Sequence, residues 1–107
     1  MAVPVAAGGP EQALQQAEAA RAAGADIIEL RADYLEGLSV DLVAKLVAEI
    51  RNAGNKRLPV IVTCRDRRQG GMYDYPPRLR VDVLVAALKA GAEFIDCEYD
   101  NFIVLEN

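Results

Sequence analysis

Two stretches of this chain are variants of one another, and together they constrain the fold more than any other feature. One reads Gly24-Ala25-Asp26-Ile27-Ile28-Glu29-Leu30-Arg31-Ala32-Asp33, the other Gly91-Ala92-Glu93-Phe94-Ile95-Asp96-Cys97-Glu98-Tyr99-Asp100. In each, a Gly-Ala pair leads into an apolar run that ends in charges at alternate positions. In register, Glu29 matches Asp96, Arg31 matches Glu98 and Asp33 matches Asp100. Side chains two apart on a strand share a face, so Glu29 stands with Arg31 and Asp96 with Glu98. Ionised groups enter a strand only where they are paired or used. A third apolar run, Leu58 to Cys64, ends at Arg65. Strands that repeatedly end in charge point to an α/β enzyme with its site at the strand ends.

The rest of the chain supplies helices between these strands. Val3 to Ala7 reads as a first strand, and Gly8-Gly9-Pro10 as a turn that puts Pro10 at the first position of a helix. Glu11 to Ala23 is rich in Ala, Gln, Glu and Leu, all good helix formers, and Gly24 closes it. Asp26 to Arg31 is the second strand. After a loop at Leu35 to Leu38, Ser39 is placed to cap a helix whose Leu42, Val43, Leu46, Val47 and Ile50 recur at helical spacing. A polar connection over Asn52 to Arg57 precedes Leu58 to Cys64, a continuous β-rich run expected of a strand buried on both faces. Asp66 to Pro77 is the longest loop. Leu79 to Ala90 is a third helix, closed by Gly91, and Phe94 to Glu98 a fourth strand. This order, βαβαβαβ without a hairpin signal, calls for a parallel sheet with helical crossovers. Repeated βα units with charged strand ends fit a TIM barrel better than an open sheet. A full barrel takes about 250 residues, so residues 1–107 amount to close to half of one.

Composition narrows the function. A net charge of -4 and a pI near 4.8 argue against a nucleic-acid partner. No apolar run is long enough for a membrane helix, and the opening Met1-Ala2-Val3-Pro4 lacks the pattern of a secretory signal. Cys64 and Cys97 both fall in apolar strand signals and read as reduced thiols of a cytoplasmic protein rather than a disulfide. The chain has no histidine, which removes a histidine base, a histidine metal ligand and a Ser-His-Asp triad from its own repertoire.

Several residues are candidates for chemistry. Glu29 and Arg31 form the strongest pair: the carboxylate suits substrate hydroxyls and the guanidinium fork suits a carboxylate. The bland alternative is a buried salt bridge that fixes the strand end. Arg65 follows a strand directly, and two arginines at adjacent strand ends can share one anionic group. Gln69-Gly70-Gly71 matches neither a P-loop nor a dinucleotide fingerprint and reads better as the hinge of a mobile lid than as a phosphate cradle. Asp96 and Glu98, about 7 Å apart by strand geometry, have the makings of a glycosidase pair or a metal site, but neighbouring arginines favour structural ion pairing. Asp33 is expected to bond backbone groups in the strand-to-helix turn. Tyr73 and Tyr75 are expected to pack the long loop onto the domain.

With those residues in view, the chain resembles the type I 3-dehydroquinate dehydratases. The resemblance rests on Val3-Pro4-Val5, on Gly24 through Leu35, on Val62-Thr63-Cys64-Arg65, on Gln69-Gly70-Gly71 and on Phe94 through Tyr99, in that order. It implies a (β/α)8 barrel that commonly dimerises, and dehydration of 3-dehydroquinate to 3-dehydroshikimate in the shikimate route to aromatic amino acids. It implies a Schiff-base lysine, a proton-moving histidine and no metal or organic cofactor. Glu29, Arg31, Arg65 and Gln69 become the substrate-binding candidates. Gln69 departs from the acidic residue that usually precedes the paired glycines. The histidine and the Schiff-base lysine are expected beyond Asn107, since Lys45 and Lys89 fall on helices and Lys56 on the N-terminal side of a strand. The expectation is therefore a substrate-binding half of the site that is inactive alone and forms a homo-oligomer, from a parent in which fusion to shikimate dehydrogenase is an open possibility. The rivals are a non-catalytic half-barrel fragment and another TIM-barrel lyase or aldolase.

Overall fold

The computed structural model describes residues 1–53, 58–65, 73 and 75–96, with the backbone alone at position 96. Four strands, β1 (Ala2–Val5), β2 (Ile27–Arg31), β3 (Val60–Thr63) and β4 (Phe94–Asp96), alternate with three helices, α1 (Pro10–Ala22), α2 (Val40–Asn52) and α3 (Pro77–Lys89). The strands form one sheet in the order β1-β2-β3-β4. Every pairing is parallel, with Val3 opposite Ile28, Leu30 opposite Val62 and Ile61 opposite Phe94. Sequential parallel order with a helix at each crossover is what the alternating pattern predicts.

The helices begin and end for local reasons. Pro10 is the first residue of α1, where its missing N–H costs nothing. Ser39 caps α2 by accepting from the Leu42 N–H at 3.1 Å. The repeated Gly-Ala signal is a helix-ending device used twice. At the end of α1 the Gly24 N–H donates to Arg21 O and the Ala25 N–H to Ala20 O, at 3.1 and 3.0 Å. At the end of α3 the Gly91 N–H donates to Leu88 O and the Ala92 N–H to Ala87 O, at 3.1 and 2.9 Å. Both are Schellman motifs, and both glycines hold positive φ, 91° and 109°. The apolar contact of the motif falls to the buried pairs Ala20–Ala25 and Ala87–Ala92.

Among the described residues the core lies on the helix-covered face of the sheet. Val5, Ile28, Leu30, Val60 and Val62 are fully buried beneath the helices, packed with Val43, Leu46, Val47 and Ile50 of α2 and Val83 and Leu84 of α3. Each such side chain, fully buried, contributes about 1.5–3 kcal/mol. The alternate positions on the other face, Ile27, Glu29 and Ile61, are only half buried, and Phe94 is 63% exposed. The β3 run reads as a strand buried on both faces; among the described residues its helix-facing positions Val60 and Val62 are fully buried, while on the other face Ile61 is half buried and Thr63 is buried.

Polar links tie the frame together. Arg21 of α1 donates to the Ile50 carbonyl near the end of α2 at 2.7 Å, where the helix dipole favours a cation. Arg51 holds Glu93 at 2.8 Å, and Glu93 also accepts from the Val60 N–H at 3.1 Å. That cluster joins α2 to the beginnings of β3 and β4. Arg51 and the Val60 N–H hold the Glu93 carboxyl below its ordinary range, against a smaller opposing effect of burial.

Several boundaries differ from the sequence reading: β1 ends at Val5 rather than Ala7, and β3 spans Val60–Thr63 rather than Leu58 to Cys64. α3 begins at Pro77, two residues earlier than the apolar pattern predicts, because proline at a first helical position is favourable. Between β2 and the loop before α2 lies a single 3-10 turn, Ala32–Tyr34, that hydrophobic periodicity did not signal. Among the described residues no helix is long and apolar enough to cross a membrane.

Candidate active site

The C-terminal edge of the sheet brings together three of the four predicted binding residues, Glu29, Arg31 and Arg65. Arg31 ends β2 and stands in register with Thr63, which ends β3 and stands in register with Asp96 of β4. Arg65 follows β3 on the same edge and is exposed. Strand alternation puts Glu29 and Arg31 on the uncovered face, away from the helices.

Local geometry decides what each side chain does. Glu29 is half buried, and its Oε2 accepts from the Thr63 hydroxyl at 3.2 Å. Thr63 itself is 1% exposed, so the carboxylate is anchored by a fixed donor on the neighbouring strand. The stretch Val62-Thr63-Cys64-Arg65 contains Thr63, yet its role as the holder of Glu29 was not anticipated. The parallel register, which brings Arg31 and Thr63 level, was the missing piece.

Arg31 is partnered differently from the sequence expectation. Glu29 and Arg31 share a face, but the ion pair of Arg31 is with Asp33. Nε donates to Oδ1 at 3.2 Å and Nη2 to Oδ2 at 2.9 Å, a bidentate fork on a fully buried carboxylate. Asp33 was expected to bond backbone in the turn; its partner is instead the guanidinium two residues before it. The 3-10 turn is the physical reason. The chain leaves the strand at Ala32, so Asp33 curls back beneath Arg31 rather than pointing along the strand face. The hydrogen bonds that Arg31 donates to Asp33 raise the Arg31 pKa above its ordinary value, with burial opposing and the nearby Glu29 carboxylate adding a weaker attraction. Arg31 also lies over the Tyr34 ring, 5.0 Å from its centroid.

The loops at this edge are clasped by Tyr75. Its hydroxyl donates to the Leu35 carbonyl and accepts from the Leu38 N–H at 3.3 Å. The segment before α3 is thus fixed to the segment before α2. Buried Arg80 supports it by donating to the Tyr75 carbonyl at 2.8 Å. Tyr73 stands beside Tyr75, 5.7 Å between ring centroids. Tyr75 packs as expected, whereas Arg80 had no sequence signal to separate it from a solvated helical arginine.

Gln69 and the Gly70-Gly71 pair, Cys97, Glu98, Asp100 and Lys56 lie outside the described residues. Lys45 and Lys89 sit on α2 and α3, as expected, with Lys45 exposed and 3.8 Å from Glu49.

Such an edge holds a fixed carboxylate and a fixed guanidinium side by side on an open sheet face, with a second arginine on the adjacent strand end. Chemically it offers a hydrogen-bond acceptor beside cationic donors. Known proteins carry the same chain pattern. The Pentafunctional AROM polypeptide of Eremothecium gossypii is 40% identical over 76 residues, covering 70% of this chain and 5% of that protein. The 3-dehydroquinate dehydratase of Methanosarcina acetivorans is 36% identical over 90 residues, covering 82% of this chain and 36% of that protein. The solved 3-dehydroquinate dehydratase of Geobacillus kaustophilus superposes with a TM-score of 0.65 at 20% identity, over 88% of this chain and 48% of that one. A solved type I 3-dehydroquinate dehydratase of Clostridium difficile gives the same values. This chain therefore spans about half of those solved chains and a smaller share of the curated relatives, and its βα repeat is half of a TIM barrel. A family model for type I 3-dehydroquinase matches residues 1–104, and with that match spanning the strand-edge residues just described, the chain belongs to the type I 3-dehydroquinase family.

Proposed function

We propose that this chain forms the substrate-holding part of a 3-dehydroquinate dehydratase, a carbon–oxygen lyase of the shikimate route that converts 3-dehydroquinate to 3-dehydroshikimate by the Schiff-base mechanism. Residues 1–107 are the N-terminal half of its barrel. The observation that carries the reading is the Glu29–Thr63 and Arg31–Asp33 arrangement at one strand edge, in a chain of this family. Glu29 accepts from substrate hydroxyls. Arg31 and Arg65 donate to the carboxylate or hydroxyls, and Gln69 reaches the same site from its loop. No metal or organic cofactor enters.

The lysine that forms the imine and the histidine that moves protons are supplied from outside residues 1–107. This sequence holds no histidine. Lys45 and Lys89 lie on helices, away from the strand ends. An imine-forming lysine needs burial or a cationic neighbour to lower its pKa, and Lys45 is largely exposed. The protein works in the cytoplasm and as a homo-oligomer.

Titration calorimetry with 3-dehydroquinate tests the reading. Arg65→Met should weaken binding about tenfold or more, the loss of a charge-assisted bond of about 1.5–3 kcal/mol. Borohydride added with substrate should leave the mass of the chain unchanged, and no dehydration should be detected. A reduced adduct on Lys45, Lys56 or Lys89 with turnover would overturn the assignment of the lysine to another segment. Unchanged binding in both Arg65→Met and Glu29→Gln would overturn the site.

A further inference from the structure

We infer that Thr63 is a positioning residue of the strand-edge site: its hydroxyl draws the Glu29 carboxylate out of its own row on the sheet toward the row of Arg31, so that acceptor and guanidinium meet a ligand together. The inference deepens the reading proposed above and rests on it for the ligand, but not for the position of Glu29.

The register of the sheet carries it. Glu29 of β2 stands opposite Ile61 of β3, and Arg31 stands opposite Thr63. In its own row the Glu29 side chain would lie beside Ile61, an apolar neighbour with no side-chain donor to offer. Its Oε2 instead accepts from the Thr63 hydroxyl at 3.2 Å, two residues further toward the C-terminal end of β3. Such diagonal neighbours on a sheet face are about 7–8 Å apart, a span that only long side chains bridge. The contact therefore carries the carboxylate toward the edge at which Arg31 and Arg65 stand.

Thr63 is suited to hold it there. It is 1% exposed, its strand is paired on both sides, with Arg31 and with Asp96, and its branched Cβ restricts χ1. A threonine has one hydroxyl proton, and that proton is committed to Glu29. A buried hydroxyl left without its acceptor is unfavourable, so each group holds the other. Glu29 is the softer partner: it is half buried, and a glutamate side chain is among those that lose most freedom on being ordered. Ordering it beforehand spares a ligand that loss. Among the described residues Thr63 engages Oε2 alone, which leaves Oε1 to accept from a ligand hydroxyl.

Calorimetry with 3-dehydroquinate and nuclear magnetic resonance on the 107-residue chain test the inference. Three-bond couplings should show Glu29 in one χ1 and χ2 rotamer in the unaltered chain and averaged in Thr63→Val, which keeps the branched shape and removes the donor. Thr63→Val should raise the dissociation constant about tenfold, because the ligand must then order the glutamate itself. Thr63→Ser keeps the hydroxyl and should recover most of the affinity together with the single rotamer. In a Glu29→Met background, where no carboxylate is left to position, Thr63→Val should weaken binding no further. Averaged Glu29 couplings in the unaltered chain, couplings or affinity that Thr63→Val leaves unchanged, a loss that Thr63→Ser does not restore, or the same loss in the Glu29→Met background would each overturn the inference. A Glu29 rotamer released by Thr63→Val, in a chain that binds no 3-dehydroquinate, would leave Thr63 as the residue that positions Glu29 and count against the substrate reading alone.

Discussion

Removing Asp33 tests whether the strand-edge arginine is held by its neighbour or merely near it. Asp33 is fully buried, and Arg31 retains 16% side-chain exposure. Breaking a buried pair by deleting one partner costs about 3–5 kcal/mol, because a charge is left without compensation. Residual exposure of Arg31 lets water recover part of this, so Asp33→Ala should destabilise the chain by about 2–4 kcal/mol. Asp33→Asn keeps one acceptor for the 2.9 or 3.2 Å donor and should cost about half as much. Arg31→Met deletes the guanidinium while keeping an unbranched apolar stem. Urea unfolding of the two single variants and the double variant gives the coupling directly, expected at about 1.5–3 kcal/mol. A cost under about 0.5 kcal/mol for Asp33→Ala, or a coupling near zero, would mean that the pair behaves as an exposed ion pair. The argument that Asp33 orients Arg31 would then fail.

Three further outcomes follow from the frame. Gly24→Ala and Gly91→Ala should each cost about 1–2 kcal/mol, since both positions hold positive φ. Gly91→Ala should cost more, because its new Cβ would meet Arg51 Nη1 at 3.0 Å while Gly24 has open space; equal melting temperatures would refute the distinction. Glu93 has a depressed pKa in the folded chain, so its stabilising effect is complete above the unfolded carboxyl value of about 4.3 and is lost as pH falls through the lower folded value. Glu93→Gln should therefore lower stability at pH 7 by about 0.5–1 kcal/mol, discounted for solvent exposure, with the gap closing as pH falls through the lowered folded value; a gap independent of pH in urea unfolding would contradict it. Tyr75→Phe should cost about 1–2 kcal/mol and speed hydrogen exchange at Leu38, whose N–H the hydroxyl accepts; unchanged exchange there would remove the clasp.

Legibility in the sequence followed the range of the interaction. The Ala-Gly-Ala runs at Ala23 and Ala90 announced helix ends because a Schellman motif is closed by residues within one turn. Ser39 and Pro10 announced helix starts for the same reason. The alternate charges of β2 placed Glu29 and Arg31 on one face correctly. What the strand period concealed was the turn at Ala32, where a change of local conformation redirected Asp33 onto Arg31. Thr63 and Tyr75 were legible as members of a motif and a loop, but not as holders of Glu29 and Leu35. Those contacts depend on register and on the packing of segments far apart in sequence, which no local pattern encodes. The bland reading of Glu29 with Arg31 as a fixing salt bridge had the right chemistry and the wrong carboxylate.

That exchange of carboxylates bears on what the edge can bind. If Arg31 were paired with Glu29, the two groups would neutralise one another and leave little for a ligand. With Asp33 engaging Arg31 through Nε and Nη2, Nη1 and a second Nη2 proton have no acceptor among the described residues. Glu29, held by one hydroxyl on one oxygen, keeps acceptor capacity on the other. The strand end thus presents an acceptor and a donor fork whose positions are set by Thr63 and Asp33, both buried. Supporting partners of this kind hold a polar pair in place before a ligand arrives, so less ordering is needed on binding. The buried supports explain why the charges can stay at a strand end without a ligand, and the 3-10 turn at Ala32–Tyr34 is what makes the two supports separate.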